Sequence, residues 1–263
     1  MIQSSMVISF VVALVCTTLV PAALIIILAI KKKISGLPLL FGALAFFISQ
    51  ILLRVPIISV LSTQGWYQDF ATMFVPYILV LCFTAGLFEE SARLGGALIL
   101  KKKRSFKDVI SFGLGHGLCE VVILIGLTHV NNLICCLAIN NPGGVFAALF
   151  PPETLQPIIE QLTAAEPYQV YMGLLERVSA VIFHIFATVL VFRGVVGKKW
   201  WYYILAIIAH MLFNLVAVLL ATYTSIVITE VALLVLALAS GVYVLKSRNC
   251  FDGNDASRTT GAV

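Results

Sequence analysis

The chain reads as an all-α, polytopic transmembrane helical bundle of about seven spans, and three observations predict it. Of its 263 residues, 61% are hydrophobic and 11% charged, with a mean hydropathy of +1.06. Soluble domains carry about 25% charged residues. Apolar runs long enough to cross a bilayer, about 20 residues each, recur along the sequence. Short basic clusters punctuate them: Lys31-Lys32-Lys33, Lys101-Lys102-Lys103-Arg104, Arg193 with Lys198 and Lys199, and Lys246 with Arg248.

The spans fall at about residues 6–30, 37–61, 70–100, 108–131, 169–193, 200–222 and 226–245. Positive residues favour the cytosolic side of a span. If the first cluster is cytosolic, threading the chain puts the other three on the same side. Asp69, Glu153, Glu160 and Glu166 then fall outside. The expectation is N-out and C-in, in a plasma membrane. The net charge of +5 is thereby a topology signal, not a nucleic-acid footprint. The first run lacks a basic n-region and a small-residue cleavage site, so it is expected to be a span and not a signal peptide.

Residues 132–168 form the sizeable loop. Asn140-Asn141-Pro142-Gly143-Gly144 and Pro151-Pro152 are turn signals there, and 145–150 and 154–163 suit short interfacial helices. Residues 1–248 read as one integral membrane domain with its core at roughly 70–222. The polar 249–263 reads as a disordered cytosolic tail. Six cysteines show no metal-type spacing, and those inside the spans read as small hydrophobes.

Glu89 and Glu90 stand side by side inside the third run, with Arg93 close behind. One acidic group at a helix centre costs about 2.5–3.5 kcal/mol on insertion scales, so such residues face partners or a polar cavity. Arg93 is four residues from Glu89 and three from Glu90, within reach of either. The glutamates lie about 100° apart on the helix, so one is expected to face the cavity while the other is held.

Helical rise places further polar groups at one depth. Counted from the basic residue at the cytosolic end of each span, Glu89 lies about 18 Å from Lys101, His116 about 13 Å from Lys107, His184 about 13 Å from Arg193 and His210 about 17 Å from Lys199. Glu120 and Asn214 sit one turn further out. Phe112, His116 and Glu120 share a face, as do His210 and Asn214. Gly113, Gly115 and Gly117 thin the fourth span so that a backbone or a substrate can approach. Taken singly, each pair is compatible with interhelical packing. His129, near the outer end of its span, Arg54, as a snorkelling or pairing residue, and Glu176-Arg177, as a cap or pair, carry the structural reading.

The order of motifs resembles the CAAX-protease and bacteriocin-processing superfamily of membrane proteases. Glu89-Glu90-Ser91-Ala92-Arg93 is similar to the paired-glutamate first motif. Phe112 followed by His116, and His210 followed by Asn214, are similar to the second and last. Arg93 stands three residues after the second glutamate, a spacing nearer the PrsW-like branch. The Gly-His-Gly with Glu120, together with Glu176-Arg177 and Phe183-His184, resembles the YhfC branch of membrane peptidases.

The resemblance implies hydrolysis of peptide bonds in a membrane protein or peptide. By analogy, Glu89 with His116 activates water, His210 and Asn214 hold the oxyanion, and Glu90 and Arg93 order the site. Glu120, His184 and Glu176 are supporting or metal-binding candidates. A metal would draw on His116, His184 and His210, a set that suits zinc. The absence of His-Glu-x-x-His, and the resemblance to glutamate-dependent hydrolases, tilt towards no resident metal. Two other readings use the same residues: a proton-coupled transporter and a non-catalytic scaffold with a polar core.

Overall fold

In a computed structural model, the described residues 1–251 form helices and connecting turns. The helices are α1 (Ser4–Ile30), α2 (Gly36–Leu61), α3 (Gly65–Ala71), α4 (Phe74–Ile99), α5 (Phe106–Asn140), α6 (Pro152–Ala164), α7 (Pro167–Val196), α8 (Trp201–Tyr223) and α9 (Ile226–Lys246). Seven of these, all but α3 and α6, are long and apolar enough to cross a membrane. The spans match those expected except the fourth, which runs on to Asn140. The polar Asn131-Asn132 pair marks an end in the sequence, yet Cys135, Cys136 and Ala138 beyond it are buried. A 3₁₀ turn at Ala147–Leu149 and α6 occupy the loop where short helices are expected.

Two compact units divide the chain. One comprises Met1–Ile26 and Val121–Arg177; the other comprises Ile27–Glu120 and the chain from Val178 onward. The first unit has its own core of Ile2, Met6, Phe10, Cys135, Cys136 and Leu162. The second is built on Phe112, Val189, Leu190, Phe192, Ala206 and their neighbours. Phe251, at the start of the segment read as a polar tail, is fully buried in that core and lies 6.3 Å from the Phe106 ring. The remainder of the tail lies outside the described residues.

Local chemistry fixes the ends of the site-bearing helices. Arg104 donates to the Ala97 carbonyl at 2.7 Å, satisfying the C-terminus of α4. Ser105 and Asp108 then form a reciprocal capping box, with the Ser105 hydroxyl donating to Asp108 at 2.8 Å. Two stretches depart from α geometry: Phe47–Arg54 within α2 and Val121–Gly126 within α5 are π-helical. Such turns are rare and recur at functional sites.

Glycines bring the backbones of the second unit into contact. A Cβ on Gly42 would sit 1.9 Å from the Phe112 carbonyl oxygen, and one on Gly115 would sit 2.0 Å from that of Leu39. Gly113 faces the other way, with the Ile185 Cα 2.7 Å from where its Cβ would stand. The first half of α5 is therefore held between α2 and α7 by backbone contact. The close approach that the glycine spacing suggests is made by protein.

Gly42→Ala or Gly115→Ala is expected to destabilise the protein by about 1–3 kcal/mol or more, because the obstruction is backbone. Gly95→Ala, where nothing lies within 4 Å, is expected to be neutral or slightly stabilising. Thermal unfolding of the three purified variants separates these outcomes.

Candidate active site

The second unit brings together polar residues from five helices. Gln50 and Arg54 come from α2, and Glu89, Glu90 and Arg93 from α4. His116 and Glu120 come from α5, His184 from α7, and His210 and Asn214 from α8. Glu90, Arg93 and His116 are fully buried, and Glu89, His184 and His210 are 4% exposed or less. The single depth inferred from helical rise corresponds to one connected cluster.

Arg93 is its hub. Its guanidinium donates to Glu90 through Nη1, and its Nη2 lies 2.6 Å from His184 Nδ1 and 3.7 Å from Glu89 Oε2. A guanidinium has no acceptor. His184 Nδ1 must therefore offer its lone pair to Arg93. The His184 proton then resides on Nε2, which lies 2.7 Å from Glu120 Oε2. The direction runs from Arg93 to His184 to Glu120.

Glu90 Oε1 also accepts from His210 Nδ1 at 2.8 Å, so Glu90 is the held member of the glutamate pair. Glu89 is the other. Its Oε2 accepts from His116 Nε2 at 2.9 Å, and its Oε1 accepts from Gln50 Nε2 at 2.6 Å. His210 Nε2 lies 3.8 Å from Glu89 Oε1, and His184 Nδ1 lies 3.8 Å from Glu89 Oε2. Three imidazoles thus surround one carboxylate.

Aromatic rings close the cluster. Phe46 presents its edge to His116 at 5.4 Å between centroids. Phe183 stacks on Phe213 at 4.3 Å and meets the His210 ring edge-on at 5.5 Å. These rings line the polar groups with apolar surface, where electrostatic interactions are stronger than in water.

Not every expected residue joins the network. Asn214 is half-buried one turn along α8 from His210, and its side chain makes no hydrogen bond among the described residues. Glu176 lies in the first unit, where it pairs with Arg177. His129 is also in the first unit, its ring 5.9 Å from that of Phe10. Gln50 was not among the expected residues; its signal, a lone amide in an apolar span, is weak.

A metal has a candidate position. Glu89, His116 and His184 each offer one ligand atom, all within 4.8 Å of one another. The N and O donor set suits zinc. The Glu120 carboxylate on the far side of His184 is the partner that metal-bound imidazoles usually have. His116 Nδ1 is buried without a partner. His210, expected in the ligand set, is instead turned by Glu90.

Comparison with known proteins follows this geometry. A family model described as YhfC intramembrane metalloprotease matches residues 16–235, a stretch that includes every member of the cluster. The chain is 29% identical over 241 residues to the uncharacterized membrane protein YhfC of Bacillus subtilis (strain 168), covering 89% of this chain and 93% of that protein. No solved structure gives a significant match. The long family match and the multi-pass helical bundle agree, and the chain belongs to the YhfC family of membrane proteins.

Proposed function

We propose that this chain is an intramembrane endopeptidase that hydrolyses a peptide bond of a membrane protein or membrane-bound peptide. The observation that carries the reading is Glu89 buried among His116, His184 and His210. The family description supports the same reaction class.

Hydrolysis needs a base for water, and Glu89 is the carboxylate positioned for it. Its hydrogen bond to His116 orients Oε2, and the proton taken from water resides on that oxygen. His210, with Nδ1–H held by Glu90, acts in its doubly protonated form as an Nε2–H donor to the developing oxyanion. Asn214, one turn away, supplies a second donor. Arg93 keeps Glu90 and His184 in place. The aromatic lining keeps bulk water away from the cluster.

A divalent metal, zinc by donor type, would be held by Glu89, His116 and His184, whose lone pairs would pass to it from their present hydrogen bonds, and Glu89 would then act as ligand and not as base. When bound, it supplies Lewis-acid polarisation and makes water a better nucleophile at neutral pH. Glu120 fixes the His184 tautomer that such binding requires. The N-out, C-in orientation belongs to this proposal and puts the cluster nearer the cytosolic face of a plasma membrane.

Three outcomes test it. New protein N-termini in host membranes are compared between wild type and Glu89→Gln at matched expression; termini that require Glu89 are expected, and identical sets would sink the reading. A membrane-permeant chelator is expected to suppress cleavage by the purified protein, with recovery on adding zinc. Arg93→Met is expected to cost about 3–5 kcal/mol of stability, since it strands the Glu90 charge in the bundle. Thermal unfolding beside Glu89→Gln checks that last point.

A further inference from the structure

We propose that Gln50 is a positioning residue for Glu89, and that Arg54 locks its amide in the orientation this requires. The inference rests on the reading of Glu89 as the hydrolytic carboxylate.

A glutamine amide has two ends of similar shape and opposite hydrogen-bonding character. Turned one way it donates to a carboxylate; turned the other it sets a carbonyl dipole against it. The Gln50 amide is buried, with Nε2 2.6 Å from Glu89 Oε1. Its Oε1 lies 3.2 Å from Arg54 Nη1. Arginine only donates, so the oxygen must face Arg54 and the NH₂ must face Glu89. Arg54 is itself tied to the helix that carries Glu89. Its Nη2 donates to the Leu81 carbonyl at 2.8 Å and its Nε to Thr84 Oγ1 at 3.3 Å. The Thr84 hydroxyl proton is committed to Leu81, which leaves that oxygen to accept.

The consequence falls on Glu89. With Oε1 held by Gln50, the carboxylate cannot rotate about its terminal bond, and Oε2 is presented to His116 and His184. Both donors on the Oε1 side, Gln50 and Arg54, come from the π-helical Phe47–Arg54 stretch of α2. Among the described residues the Gln50 amide bonds only Glu89 and Arg54. Its removal is therefore expected to change turnover and metal affinity, not substrate binding.

The test uses the full chain in detergent, comparing wild type with Gln50→Met, Arg54→Met and Arg54→Lys. Gln50→Met keeps length and apolar fit while deleting the donor. It is expected to lower zinc affinity and kcat by about 10–100-fold, with KM within about twofold and an unfolding temperature close to wild type. Arg54→Met, which frees the amide to turn, is expected to lose less in the same direction, and Arg54→Lys to restore most of it.

Gln50→Met at wild-type zinc affinity and kcat overturns the proposal, as does a loss matched by an equal fall in stability. If Gln50→Met does not fold, the Arg54→Met and Arg54→Lys pair decides by the same readings. If wild type neither cleaves nor takes up zinc, the peptidase reading fails by itself. The infrared carboxylate band of isotope-labelled Glu89, assigned against Glu89→Gln, then still decides this inference. A shifted band in Gln50→Met supports it, and an unchanged band overturns it.

Discussion

Two adjacent carboxylates cannot be buried in an apolar bundle unless something opposes their charge, and Arg93 is the group that does so. It is fully buried, bonded to Glu90 and His184 and 3.7 Å from Glu89. Much of the site follows from where its protons go. Glu90 is drawn to Arg93 and His210, which separates its function from that of Glu89. His184 is left with one tautomer, which brings Glu120 into the cluster. Removing the guanidinium would disturb all of these at once, so an Arg93 variant reports on the assembly and not on a single bond.

The cluster also depends on helix spacing that only glycine permits. Gly42 and Gly115 bring α2 and α5 together, while Gly113 and Gly117 admit α7. Gly86 does the same between α4 and α8, with the Ile207 carbonyl oxygen 2.9 Å from where a Cβ would stand. Short polar bonds across helices need backbones this near, because Glu and His side chains have limited reach. Packing and chemistry are one constraint here: a methyl group at Gly42 would act on Glu89 through the displacement of α2.

Much of this was legible in the sequence, for physical reasons. A charge in an apolar span is costly, so Glu89, Glu90 and Arg93 announce themselves. Regular rise converts sequence distance into depth, which puts His116, His184 and His210 near one level. Other features leave no such trace. A neutral amide costs too little to mark Gln50, and Arg54, read as a snorkelling or pairing residue, gives no sign of which partner it takes. The π-helical stretch that carries both has no hydrophobic period of its own. The continuation of α5 past Asn131 and Asn132 was hidden because polar residues at a span end look the same whether the helix stops or goes on. The shared helix face also groups Asn214 with His210, although of the two only His210 has a neighbouring carboxylate to hold it among the described residues.

The donor-only character of Arg54 and Arg93 has a wider consequence. Hydrogen bonds run from Arg54 through Gln50 to Glu89, and from Arg93 through His184 to Glu120, each ending on a carboxylate. A chain that conducts protons must reverse each of its bonds in turn after every transfer. A guanidinium at the head of a chain forbids that reversal, since it cannot take a proton back. These two chains are thus polarised, with fixed direction, and neither can serve as a repeated proton relay. That is compatible with the role proposed for Glu89, in which a proton moves a short distance while its surroundings hold still.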